Sequence, residues 1–283
     1  MFYTVVTESC KNLRALAREV LRGKWKAASI ATIVYMFAMA IPVSIINLAF
    51  GDENGLSLMG DVYTLLVTGS FTIGYTMYCL SLFRGERAHV GQIFYGFEIF
   101  FKALGLFVVT SIFIVLWTLL FIIPGIVAAY RYSMAFYIMA DHPEYGIMQC
   151  INESKKMTQG NKMKIFLLSL SFIGWIILAA IPAGIVTSLA SSAAPVMVEI
   201  ATIVALIPEA VLTVYMMIAE TAIYEMASGR LRQKSSVIDE PLRREAASDN
   251  SYTEERAAEK EFEREAERDS ENETVNENGN ETE

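Results

Sequence analysis

The sequence predicts an all-α, polytopic membrane helix bundle of six transmembrane spans with interfacial amphipathic helices. Three observations predict it. Hydrophobic residues make up 54% of the 283 residues and charged residues only 19%, against roughly 25% charged in a soluble domain. The stretch from Ala103 to Ala140 carries a single charge, Arg131, and is interrupted by Pro124-Gly125. Basic residues also cluster in alternate connections between apolar runs, as on the cytoplasmic side of membrane proteins.

Residues 1–26 read as a basic cytoplasmic segment. Within 7–22, Leu13, Leu16, Ala17, Val20 and Leu21 share one helical face and Lys11, Arg14, Arg18 and Arg22 another. Such a helix suits a surface of anionic headgroups. The candidate lipid-headgroup contacts are Arg14, Arg18, Arg22, Lys24 and Trp25. No small-residue cleavage site follows a short apolar core, so the first crossing reads as a retained anchor.

The membrane domain, 27–228, holds spans at about 27–50, 61–83, 104–123, 125–141, 164–188 and 196–226, each near the ~20 residues a bilayer needs. The 104–141 stretch counts as two because Pro124-Gly125 breaks the hydrogen-bond ladder and permits a reversal. Charge bias agrees. Bases fall in the N-terminal segment, in 84–103 (Arg84, Arg87, Lys102), in 142–163 (Lys155, Lys156, Lys162) and after the last span (Arg230, Arg232, Lys234). The intervening connections have none. The expectation is a multi-pass protein of the cell membrane with both termini cytoplasmic.

Residues 90–101, with Ile93, Phe94, Phe97, Phe100 and Phe101, predict a second interfacial helix, and 143–157 a weaker third. Ser29, Tyr35 and Pro42 repeat the spacing of Ser111, Trp117 and Pro124, and of Ser169, Trp175 and Pro182. This suggests a threefold internal repeat of interfacial helix, ascending span, Ile-Pro turn and descending span. Residues 229–283 hold 17 acids and 9 bases, whereas 1–228 hold 14 of each. That tail is too polar to bury a core and is expected to be disordered. A protein partner is one use for it, and a solvated charge run the blander one.

A set of junction motifs carries a resemblance. It comprises Arg14-x-x-Ala17-Arg18-x-x-Leu21-x-Gly23-x-Trp25 and Leu82-Phe83-Arg84-Gly85-Glu86. It continues through Ile122-Ile123-Pro124-Gly125-Ile126, Arg131-Tyr132-Ser133-Met134-Ala135, Ser154-Lys155-Lys156-Met157-x-x-Gly160-x-Lys162 and Phe172-Ile173-Gly174-Trp175. Over residues 10–227 the chain resembles the bacterial integral membrane family catalogued as domain-of-unknown-function family 975. The resemblance implies an integral protein of the cell membrane and no established activity.

Candidate intramembrane polar residues are Arg131, Glu209, Glu220 and Asp61. An arginine at a span centre costs ~2.5–3.5 kcal/mol, so Arg131 must snorkel or find an anion. Thr202, Glu209, Thr213 and Glu220 lie on one stripe of the last span, making Glu209 the expected partner and Glu199 the shallower competitor. Asp61, Thr64, Thr68, Thr72, Tyr75 and Cys79 form a second stripe. The second stripe lines a polar cavity on one reading and supplies interhelical hydrogen bonds on the other; Arg131 and Glu209 form a structural ion pair, serve transport or a ligand, or leave Arg131 to snorkel at the lipid edge.

No nucleophile sits beside a plausible base, so an enzyme is not expected. Cys10, Cys79, Cys150, His89 and His142 are too scattered for a metal site, and no cofactor is implied. The bases are explained by topology, so nucleic acid is not an expected partner; the lipid bilayer is. Two functions stay open: transport of a small solute, ion or lipid, and a non-transporting membrane scaffold or envelope-stress factor acting through lipid and partner binding.

Overall fold

The computed structural model describes residues 3–50, 58–190 and 195–231, with side chains of 47–50, 182–183 and 185–206 left out. The described residues up to Gly229 form one compact unit. From residue 232 on, the acidic tail and its expected disorder lie outside the described residues. Among the described residues the chain is helical, with no strand.

Among the described residues six stretches are long and apolar enough to cross a membrane: Trp25–Ile46, Leu58–Arg84, Phe100–Leu120, Ile122–Asp141, Lys162–Ile181 and Ile207–Ala227. They coincide with the six expected spans.

Helix α1, Cys10–Leu21, is capped by Ser9, whose hydroxyl accepts from the Asn12 N–H, satisfying an otherwise orphan donor. Leu13, Ala17 and Leu21 recur at fourfold spacing and are buried, so one stripe is spent on packing. The helix stops before Gly23, whose φ of 76° is open to glycine at little cost. Helix α2, Trp25–Phe50, runs through Pro42. Helix α3, Leu58–Arg84, is the core element, buried from Gly69 to Leu82 except at Thr72 and Met77. It holds α2 by stacking Tyr75 on Tyr35 at 4.6 Å between centroids and by a 2.7 Å hydrogen bond between the Tyr75 and Thr32 hydroxyls.

The expected second interfacial helix is a 3-10 helix, Val90–Phe97, pressed against α3. Cβ atoms added at Gly74 and Gly96 would strike the backbone carbonyls of Ile93 and Ser70. The two glycines let main chain meet main chain, which a regular α-helix with side chains on every face would prevent. Phe94 and Phe97 meet Phe71 edge-on at 5.8 and 4.9 Å.

Helix α4, Phe100–Leu120, is followed by α5, Ile122–Tyr132, and the break falls at the extended residue Phe121 and not at Pro124-Gly125. Pro124 sits in the first turn of α5, where its missing N–H has no intrahelical acceptor to lose. Gly125 lets that turn close on Thr118 of α4. Pro42 and Pro182 also lie inside helices, so the threefold repeat rests on sequence spacing alone, without the proline turns it was given.

Helix α6, Ala135–Asp141, completes the fourth span. Helix α7, Ile147–Met157, is the expected third interfacial helix, and its Cys150, Ile151, Ser154 and Met157 face is buried. Helices α8, Lys162–Leu170, and α9, Ile173–Ala190, make the fifth span, and α10, Pro195–Ala227, the sixth. The N-terminal segment closes the unit. The Thr4 N–H donates to the Ala227 carbonyl at 2.9 Å, and the Val6 N–H to Asn161 Oδ1 at 2.8 Å.

Candidate functional site

The strongest polar constellation is one the sequence reading missed. Arg84 ends α3, Asp141 ends α6, and Glu225 lies near the end of α10. Arg84 Nη1 donates to Asp141 Oδ1 at 2.9 Å, while Nε and Nη2 reach Glu225 Oε1 at 2.8 and 2.6 Å. The Tyr224 hydroxyl donates to Asp141 Oδ2 at 2.8 Å. Asp141 and Glu225 side chains are 6% and 5% exposed, and Arg84 25%. Helix C-termini carry partial negative charge, so one guanidinium serves two carboxylates and the ends of two helices besides its own. It joins the second, fourth and sixth spans. Beyond it, His142 Nδ1 lies 3.1 Å from Glu144 and stacks on Tyr145. Glu144 is held below the usual carboxylate range, first by its own backbone N–H and then by His142. The only hint in the sequence was that spans two, four and six each end in a charge.

The structure does not bring Arg131 and Glu209 together. Helix α5 packs on α4, α7 and α8, and α10 mainly on α9, α2, α1 and α3; α8 touches both, but among the described residues Arg131 and Glu209 form no ion pair. Arg131 is partly buried at the end of α5, and its carbonyl accepts from Ser154 Oγ at 2.9 Å. Its Nε is buried without a hydrogen-bond partner among the described residues. Glu209 and Asp61 are exposed. Glu220 is partly buried within electrostatic range of Cys79 and Tyr137. Among the described residues none of these four forms an ion pair. The Glu199 side chain lies outside the described ones. Much of the second-span stripe is committed locally. Thr64 donates to the Gly60 carbonyl, Thr68 to the Thr64 carbonyl, and Tyr75 shares its bond with Thr32. Among the described residues no group of three His, Cys, Asp or Glu could hold a metal ion.

The basic helix divides its cations. Arg14 Nη1 donates to the Ser171 carbonyl at 3.1 Å, and the Arg14 carbonyl accepts from the Tyr215 hydroxyl at 3.2 Å. This arginine therefore fastens α1 to the α8–α9 junction and to α10. Arg18, Arg22 and Lys24 are exposed, and Trp25 is half-buried against Tyr215 at 6.0 Å between ring centroids.

Two apolar grooves open on the flanks. One, about 440 Å³, runs between α9 and α10 from Arg18 and Trp25 toward Pro208 and Leu178. The other, about 390 Å³, lies between α5 and α8 with Lys162 and Tyr130 on its lining. Each has one cation among apolar and aromatic walls.

At the base of α7, the Tyr3 hydroxyl donates to Glu153 at 2.7 Å, and Lys156 Nζ approaches the same carboxylate at 2.7 Å. Lys156 and then Tyr3 hold Glu153 below the usual carboxylate range, while burial raises Tyr3 and pushes the Cys150 thiol up to about 11.

No curated protein and no solved structure matches the chain. The model of the family described as "Protein of unknown function (DUF975)" matches residues 6–129 and 119–230, which is most of the sequence and all six spans. The chain is therefore a member of the DUF975 family.

Proposed function

We propose that this multi-pass membrane protein is a non-transporting, non-enzymatic scaffold of the cell membrane. It binds anionic lipid through its basic end, which faces the cytoplasm, and offers the acidic tail to a protein partner. The observation that carries the reading is the division of labour on α1. Its apolar stripe and Arg14 are used to seat it on the bundle, leaving Arg18, Arg22 and Lys24 exposed together. A helix held rigidly in this way presents its cations without the ordering cost a free amphipathic segment bears on membrane binding.

The test is native mass spectrometry of the full chain released from membranes of mixed phosphatidylglycerol and phosphatidylcholine. Retained phosphatidylglycerol should fall severalfold in the triple variant R18Q/R22Q/K24Q. Equal retention by both proteins would end this reading.

A transport reading draws on Glu220, a partly buried carboxylate with no ion-pair partner among the described residues. Unpaired intramembrane carboxylates mark ion pathways in other bundles. Flux into proteoliposomes that Glu220→Gln abolishes would favour transport over the scaffold.

A further inference from the structure

The geometry points to the groove between α9 and α10 as a selective site for one anionic glycerophospholipid, its phosphate at Arg18 and an acyl chain along Trp175, Leu178, Ile207, Pro208, Val211 and Leu212. This rests on the lipid-binding reading and deepens it by naming the site and the ligand.

The argument begins with size and shape. At about 440 Å³ the groove falls within the ~300–1,000 Å³ common for ligand pockets. Its described lining on α10 runs from Tyr215 back to Ile207, about 12 Å at ~1.5 Å per residue. One leaflet of a ~30 Å hydrocarbon core is about 15 Å deep, so this described stretch alone takes most of a chain descending from the headgroup level. Chemistry divides along the same line. The charged and amphipathic residues Arg18, Trp25 and Tyr215 gather at one end, and aliphatic residues fill the other. Trp and Tyr favour that boundary because one part of the ring is apolar and the other can hydrogen-bond.

Charge complementarity selects the occupant. Among the described residues Arg18 is exposed and forms no ion pair, and no carboxylate lines the groove. A planar guanidinium suits a phosphate diester. Zwitterionic lipid would bring an ammonium or choline group into a field already made positive by Arg14, Arg22 and Lys24. The site also has a fixed wall: the Tyr215 hydroxyl bonds the Arg14 carbonyl at 3.2 Å, and Phe172 meets the Tyr215 ring edge-on at 5.1 Å. The mouth is therefore held open by contacts that the lipid need not make.

The experiment uses the chain's three tryptophans. Trp175 lines the groove, whereas Trp117 lies on α4 and lines neither groove. Two full-length reporters, W25F/W117F and W25F/W175F, are reconstituted in phosphatidylcholine with rising fractions of brominated phosphatidylglycerol or brominated phosphatidylcholine, and fluorescence quenching is read. Trp175 should prefer the brominated anionic lipid at least threefold, and Trp117 should show no preference. R18Q and the groove-filling A179F should each remove the preference, and R18K, which keeps the charge but not the planar fork, should restore part of it. Equal preference at both reporters, or a preference that survives R18Q, overturns the site while leaving general lipid binding by the basic end intact. No quenching of Trp175 by either lipid, with a crosslinkable dimer, would put a second copy in the groove and also overturn it. Absence of anionic preference at Trp175, together with unchanged lipid retention in R18Q/R22Q/K24Q, would sink the underlying reading as well.

Discussion

Arg84 is the residue on which three helices depend. Removing its charge leaves Asp141 and Glu225 close together at helix ends that already repel anions. Breaking a buried pair by deleting one partner costs ~3–5 kcal/mol. With Arg84 one-quarter exposed, screening reduces the expected loss for Arg84→Gln to about 2–3 kcal/mol. Asp141→Asn should cost less, because Glu225 still holds the guanidinium. Thermal unfolding in detergent would rank the two, and an equal ranking would deny Arg84 its central place. Cys150 is another residue-scale case. With its thiol pushed up to about 11 by burial, alkylation at pH 8 should run at least tenfold slower in the native protein than in denatured chain, as followed by mass spectrometry. Glu153 makes a pH prediction. Its folded pKa is lowered, so its contribution is complete above the unfolded value near ~4.3 and fades as pH falls through the lower folded value. Hydrogen exchange of residues 3–9 should therefore be faster in Glu153→Gln than in wild type at pH 7, and the two should converge only as pH falls through the lowered folded value. None of these partnerships was legible in sequence. Arg84 reads as an ordinary topology marker, and nothing in the sequence gives Asp141 or Glu225 a partner. A charge at a span end has a sufficient local explanation in snorkelling, and only tertiary packing reveals its partners.

Elements were far more legible than sites. Span number and rough limits follow from apolar length and charge alternation, two signals that act along the chain and need no knowledge of neighbours. The hairpin at 104–141 was readable for the same reason, although its turn falls at Phe121 and the proline belongs to the next helix. Proline removes a donor, and a first helical turn has spare donors, so the Pro-Gly pair marked the neighbourhood and not the hinge. The aromatic surface face expected at 90–101 is present, with Phe94, Phe97 and Phe101 exposed, but the 3-10 form and its docking were not legible. The close approach depends on Gly96 against Gly74 of α3, and glycines carry no pattern in hydropathy. Gly74→Ala and Gly96→Ala should each destabilise by about 3 kcal/mol or more, since backbone on the other side cannot swing away as a side chain would. Gly146→Ala, where nothing lies within 4 Å of the added Cβ, is the control. Chemical unfolding of the three variants would check this, and equal stabilities would show the 3-10 segment to be loosely held.

At the scale of the whole unit, the ends of α3, α6 and α10 and the N-terminal segment gather on one side, whereas Phe121 marks a turn between adjacent spans. In a cysteine-free background (C10S, C79S, C150S), thiols introduced at Ser9, Glu86 and Gly146 should react from the same face of sealed vesicles, and one at Phe121 from the other. Labelling of all four from one face would rule out the hairpin. The gathering also constrains how the molecule is made. Arg84 is synthesised 57 residues before Asp141 and 141 residues before Glu225. Thr4 meets its partner Met226 across 222 residues. The earliest helix thus waits for the last one to supply its seat, and the second span enters the bilayer with its arginine still unmatched. During synthesis the unit remains an open chain of inserted hairpins, and it locks only when the sixth span arrives. Early termination anywhere before that span would leave Arg84 short of Glu225 and α1 without α10 to rest on, offering quality-control proteases an unfastened end.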